Sequence, residues 1–190
     1  DPSRADKVWV QLREGQRLTE QVAAMAEASK LPPGDFEAAL ATPGELGLPA
    51  WAGDRPEGFL FPDTYELPDN PTAVEVIRLA TTQFGKVSAD MDFENRAAAS
   101  PAGDPYSALI MASIVEREAN RSEDRVRVAR VFYNRLAEGM ALQSDATVAY
   151  ANNVTGRVTT TDAERALDSP YNTYLDANAG KLPPGPITSP

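Results

Sequence analysis

Glu116 and Glu118 end a stretch in which Tyr106, Leu109, Ile110, Met111, Ile114 and Val115 recur at helical spacing. At 100° per residue, Glu118 lies about 55° from the centre of that apolar face, whereas Glu116 lies about 145° away on the solvent side. The two carboxylates are therefore not equivalent, and Glu118 is the one the helix turns inward. Arg117 and Arg121 also fall on the inward side, so beyond Val115 the stripe turns polar. Either the helix end leaves the core there or it borders a polar cleft. Two readings of Glu118 stay open. It is a solvated residue of a last turn, paired with Arg121 at i+3, or a partly buried acid that desolvation keeps protonated and able to donate a proton near neutral pH. The second reading requires desolvation to outweigh the arginines, or Glu116, Glu123 and Asp124 to engage them.

The chain has no histidine and no cysteine. Ser-His-Asp and Cys-His catalysis, His- or Cys-ligated zinc and disulfides are excluded together. Any enzyme here runs on carboxylates, hydroxyls, amides, Lys, Arg or Tyr. Three further clusters carry such groups. Glu57 to Tyr65 joins a Pro62-Asp63 turn to the rings of Phe59, Phe61 and Tyr65, and aromatic walls suit sugar faces. Leu142-Gln143-Ser144-Asp145-Ala146-Thr147 sets amide, carboxylate and hydroxyl groups at alternating positions before a helix, and Ser144 or Asp145 as a plain N-cap is the plainer reading. Tyr171-Asn172-Thr173-Tyr174, followed by Leu182-Pro183-Pro184-Gly185-Pro186, could be only a surface turn.

Taken in order, these clusters carry a resemblance. Ala112-Ser113-Ile114-Val115-Glu116-Arg117-Glu118-Ala119, Val131 to Leu136, Gly139-Met140, Leu142 to Thr147, Tyr171 to Tyr174 and Leu182 to Ile187 closely resemble the MltG (YceG-like) family of endolytic murein transglycosylases. Glu57 to Tyr65 matches that family's aromatic Pro-Asp-Thr segment, and Glu14-Gly15 with Arg17-Leu18 resembles its opening motif. Lys181 stands where the family usually has glycine, and Leu175 to Gly180 makes that loop longer than usual. The resemblance implies a lysozyme-like catalytic domain that cleaves nascent glycan strands between N-acetylmuramic acid and N-acetylglucosamine and leaves 1,6-anhydro ends. Glu118 matches the family's catalytic glutamate, acting as acid and then base. Gln143, Asp145, Thr147, Tyr171, Asn172 and Tyr174 match positions expected to line the substrate groove. No metal or organic cofactor is implied. Partnership with peptidoglycan polymerases and penicillin-binding proteins is implied, as is a single-pass upstream membrane anchor that places the domain on the extracytoplasmic face. Two rivals remain: a muramidase of the lysozyme type, which needs a second carboxylate, for which Asp145 is the candidate, and a non-catalytic glycan-binding module.

The elements that must position these residues are mostly helical. Val8 to Leu12 alternates as a strand, and the Glu14-Gly15 turn leads to a helix from about Leu18 to Ala28. A short helix is expected from Asp35. Residues 43–71 read as ordered loop packed by rings. Asn70-Pro71 reads as a helix start, with Val74, Ile77, Phe84 and Val87 as its stripe. Further helices are expected from Tyr106 to Asn120, from a Ser122 cap to Gly139 with Val126, Ala129, Tyr133 and Leu136 as stripe, and after the Thr161-x-x-Glu164 capping box. The expected class is α+β, mainly helical with a few short strands.

With 190 residues, 42% of them hydrophobic, one buried domain is expected, with an opening strand and helices over 1–50 and a catalytic core over 51–190. A net charge of −10 gives no basic footprint for nucleic acid or an anionic membrane surface. No apolar run reaches the roughly 20 residues that span a bilayer. Asp1-Pro2-Ser3 and Pro190 look like cut points, and the chain reads as a fragment truncated at both ends.

Overall fold

The computed structural model describes residues 7–119, 121–156 and 159–190. The class is α+β, as expected, with eight α-helices and one two-stranded sheet among the described residues. The chain forms two compact units, Asp1–Phe93 with Thr188–Pro190, and Glu94–Ile187. The expectation is one domain with an internal boundary near residue 50; the compact units each have a core and meet in sequence after Phe93.

In the first unit, strand β1 (Trp9–Gln11) pairs antiparallel with β2 (Thr64–Glu66), with Val10 opposite Tyr65. Alternation sends Val10 and Tyr65 inward and leaves their neighbours exposed. Helices α1 (Leu18–Ser29), α2 (Pro33–Leu40) and α3 (Ala73–Asp90) close a core containing Leu12, Met25, Phe36, Leu46, Leu60, Val76 and Ile77. Trp51, Phe59, Phe84 and Phe93 form a ring cluster with centroids 5.0–6.0 Å apart, so the Pro- and Gly-rich stretch is indeed ordered by its aromatics. The last residues of the chain belong here: Ser189 N–H donates to Gln16 O at 3.0 Å, Gly15 N–H to Ser189 O at 3.1 Å, and Ser189 Oγ to the buried Gln21 Oε1 at 3.0 Å. Helix α3 does not start at Asn70-Pro71. Asn70 takes a left-handed turn with φ 49°, and Thr72 with Glu75 forms the capping box that opens the helix two residues later.

In the second unit, α4 (Phe93–Ala98) ends across the unit boundary and was not foreseen. Helix α5 (Pro105–Glu118) starts at Asp104, whose side chain accepts from Ser107 N at 2.8 Å. The Ser107 hydroxyl and then its amide hold the Asp104 carboxyl below the usual aspartate range. Asn120, the expected last residue of this helix, lies outside the described residues. Helix α6 (Arg125–Ala137) follows a short turn at Ser122–Asp124. Its buried anchor is Phe132, and Val126, assigned to the stripe, is 78% exposed because it sits in the first turn, beyond the core. Helices α7 (Asp145–Ala151) and α8 (Asp162–Arg165) complete the unit, the latter opened by the expected Thr161/Glu164 box. Ile110, Met111, Ile114, Val115, Leu142 and Ile187 form the core, and Ser113 Oγ, buried, accepts Ile187 N–H at 3.1 Å.

Candidate active site

Helix α5 buries Leu109, Ile110, Met111, Ile114 and Val115 and then runs out of core: Glu116 is half-buried, Arg117 and Glu118 are exposed, and Ala119 takes extended backbone with ψ 104°. Of the two readings of Glu118, the exposed one holds, though without the Arg121 partner among the described residues, because the apolar direction set by the first three turns does not continue in a last turn that leaves the core. Arg121, also placed inward by the wheel, is exposed and within 3.5 Å of Glu123.

What draws Glu118 to a site is a residue 26 positions away. Ser144 Oγ, on a residue only 1% exposed, donates to Glu118 Oε1 at 2.5 Å. Ser144 is held in turn by two buried threonines. Its N–H donates to Thr173 Oγ1 at 3.0 Å, its carbonyl accepts from Thr147 Oγ1 at 2.8 Å, and the two threonine hydroxyls meet at 2.8 Å. Thr147 is wholly buried with its hydroxyl committed to this frame, so it supports the site from beneath and does not line a groove.

Asp145 sits one residue on. Its Oδ1 accepts from Thr160 Oγ1 at 2.5 Å and Tyr174 OH at 2.9 Å and lies 3.8 Å from Arg165 Nη1. Arg165 also covers the Tyr174 ring at 5.5 Å and donates to the Thr160 carbonyl at 2.9 Å. Burial pushes the Tyr174 hydroxyl above its ordinary range, followed by the Asp145 hydrogen bond and charge, with a further contribution from Glu118. Tyr174 therefore stays protonated, donating to Asp145, and is near enough to feel the Glu118 charge.

Asn172 is also buried, correcting its assignment to the groove. Its Nδ2 donates to the carbonyls of Arg165 and Leu167, both at 2.8 Å, and its Oδ1 accepts Tyr174 N–H at 3.1 Å. It ties the loop carrying Tyr171 and Tyr174 to α8. Tyr171 packs on Tyr150 with centroids 4.8 Å apart. Its hydroxyl would lie 2.9 Å, and that of Tyr106 3.0 Å, from a Cβ added at Gly185, so a side chain there would push on one or both phenols. Gln143 is exposed, with left-handed backbone of φ 55°, and its N–H donates to Thr173 O at 3.0 Å.

The structure therefore gathers Glu118, Gln143, Asp145 and Tyr174 around the start of α7, with Thr147 and Asn172 as buried supports. Sequence reasoning missed Thr160, Arg165 and the part played by Ser144. The alternating polar run at 142–147 was the signal for Ser144, but a serine before a helix reads first as its cap. Two open grooves, of about 440 and 400 Å³, belong to the first unit and contain none of the candidate residues. Among the described residues no group of three or more Asp and Glu side chains is arranged to hold a metal ion.

The site of this α+β protein is thus a reachable carboxyl fixed by a buried hydroxyl. Residues 2–190 match the model of the YceG-like family, and the chain belongs to that family. It is similar to the endolytic murein transglycosylase of Bacillus subtilis (strain 168), 41% identical over 138 residues covering 70% of this chain and 35% of the relative. It is also similar to the endolytic murein transglycosylase of Streptococcus pneumoniae (strain ATCC BAA-255 / R6), 36% identical over 140 residues covering 72% of this chain and 24% of the relative. The crystal structure of a yceG-like protein from Listeria monocytogenes matches with a TM-score of 0.82 at 29% identity, covering 99% of this chain and 65% of that one. The chain thus spans only about a third and a quarter of the two curated relatives.

Proposed function

We propose that this chain carries the cleaving unit of an endolytic peptidoglycan lytic transglycosylase, with Glu118 as its single acid/base residue. The observation that carries this is the placement of Glu118: one oxygen anchored by Ser144 at 2.5 Å, on a side chain exposed enough to meet the middle of a long glycan. The names of the two curated relatives support the same activity.

Glu118 in its acid form protonates the oxygen linking N-acetylmuramic acid to N-acetylglucosamine as the bond to the muramic anomeric carbon breaks and charge spreads toward the ring oxygen. A sugar face laid over the carboxyl displaces water, which costs the neutral form less than the charged one. Glu118, now a carboxylate, takes the proton of the muramic C6 hydroxyl. That oxygen attacks the anomeric carbon, the 1,6-anhydro ring closes, and the acid is restored. The attack is intramolecular, with effective molarities of about 10⁵–10⁸ M for well-oriented groups, so it outruns water without a second carboxylate. In this reading Gln143, Tyr171 and Tyr174 orient the strand.

The muramidase reading would need Asp145 to activate water or act as nucleophile. Asp145 is already engaged by Thr160, Tyr174 and Arg165, which argues against it. The test is cleavage of purified peptidoglycan by the full-length protein in water enriched in heavy oxygen, read by mass spectrometry. Unlabelled anhydromuramic ends are the expected main product. Labelled reducing ends would establish hydrolysis, and no new ends at all would leave a glycan-binding module.

The proposal extends to location and partners. The full-length protein is held by one apolar span of about 20 residues upstream of Asp1, with this chain outside the cytoplasmic membrane, where it trims nascent strands beside peptidoglycan polymerases and penicillin-binding proteins. Among the described residues no helix is long and apolar enough to cross a membrane. Fractionation of cells expressing the full-length protein should leave it in the membrane after high-salt and carbonate washes. Recovery in the soluble fraction would end this part of the proposal.

A further inference from the structure

Ser144 occupies the N-cap of α7, where a serine hydroxyl ordinarily accepts a hydrogen bond from the first turn. It makes no such bond. Its proton is turned instead to Glu118 Oε1 at 2.5 Å, and its backbone is pinned on both sides by Thr173 and Thr147. Gln143 before it holds left-handed backbone at φ 55°, a conformation unfavourable for a residue with a side chain. The local chain thus forgoes a cap and accepts strain, while a serine only 1% exposed is held against one oxygen of an exposed carboxyl.

We propose that Ser144 is a positioning residue for Glu118, occupying Oε1 so that Oε2 is the oxygen that gives up and takes back the proton. This rests on the function proposed above. A carboxylate only accepts hydrogen bonds, and a carboxylic acid donates from one oxygen. With Ser144 donating to Oε1, the acidic proton belongs on Oε2, which has no hydrogen-bond partner among the described residues. The serine keeps the same bond in both halves of the reaction, so the same oxygen faces the glycosidic oxygen in the first step and the C6 hydroxyl in the second. Tyr174 does not compete for Oε1, since its hydroxyl is committed to Asp145.

The test uses the full-length protein on uncross-linked glycan strands, with Glu118→Gln run in parallel. Ser144→Ala should lower kcat about 10- to 100-fold, the range of a hydrogen bond to a charged group, with KM within about twofold. Ser144→Cys keeps the volume with a weaker donor, covers the case in which the alanine variant fails to fold, and should show the same fall. Ser144→Thr restores a hydroxyl at the same atom and should return kcat to near wild type. Wild-type kcat in the alanine or cysteine variant, a loss carried by KM, or a threonine variant as slow as alanine would each overturn the positioning role. Cleavage persisting in Glu118→Gln would instead overturn the underlying function, whatever Ser144 does.

Discussion

Glu118→Gln in the full-length protein is expected to slow glycan cleavage by about 10²–10⁴-fold, the range contributed by a positioned general acid or base. The substitution removes the transferable proton at nearly constant volume. The new amide oxygen can still accept from Ser144, so the bond now made at 2.5 Å need not be lost. Because Glu118 is exposed, the change in stability should stay within about 0.5 kcal/mol. Glu116→Gln is the control: it lies two residues earlier on α5, half-buried, with no contact to Ser144 among the described residues, and its effect on rate should be several-fold at most. Rates for both variants, with melting curves by circular dichroism, decide the matter. An active Glu118→Gln beside an inactive Glu116→Gln would reverse the assignment.

Asn172→Ala is expected to give the largest loss of stability, about 2–4 kcal/mol. Asn172 is wholly buried and serves two carbonyls and one amide N–H. Its carbonyl oxygen also accepts Asn178 Nδ2 at 2.9 Å, so the side-chain loss falls on a backbone already bound from two directions. Truncation leaves Arg165 O, Leu167 O and Tyr174 N–H without these partners in a space little larger than the amide it replaces. A fully buried group left unsatisfied costs about 1–3 kcal/mol; these three are only partly buried, and water reaching the Leu167 carbonyl reduces the cost there. The consequence for the site is a loosened Tyr174 and a less defined Asp145. Urea unfolding should show the midpoint fall with little change in slope. A midpoint within error of wild type would show that the three bonds contribute nothing net.

Legibility in the sequence followed the range of the interaction. The Thr161/Glu164 box, the Gly139 stop and β1 depend on neighbours a few residues away, and all were readable. Asn70-Pro71 misled because an asparagine before a proline fits a helix start as well as a left-handed turn, and the stronger Thr72/Glu75 box followed at once. The wheel at Glu118 left two readings open for a different reason: helical periodicity says which residues share a face, but not where the core beneath that face ends. The ordered motifs led to Glu118, Gln143, Asp145 and Tyr174. They could not show that Thr147 acts from below, nor that Ser144 serves a carboxylate in place of its own helix, since those roles are fixed by partners 26 and 29 residues distant; Asn172 turns under through closer partners, two to seven residues away, whose loop path no local pattern states.

Two cores were also beyond a reading of composition. Nothing local in Thr188-Ser189-Pro190 announces that these residues complete a unit begun at the other end of the chain, and yet Ser189 fastens the Gly15–Gln16 turn and the buried Gln21.

That arrangement gives the molecule a definite order of assembly during synthesis. Residues 1–93 leave the ribosome before the second unit, but Thr188–Pro190 emerge only after the whole of Glu94–Ile187 has been made. At ordinary elongation rates this interval is about 5–20 s, far longer than a small helical unit needs to collapse. Throughout it, Gln21 Oε1 awaits its donor, and the backbone of Gly15 and Gln16 its partners, so the nascent first unit is held short of its final stability by the groups that Ser189 will later satisfy. Of the two units, the one translated first therefore waits for the second to be made before Ser189 can complete its hydrogen bonds.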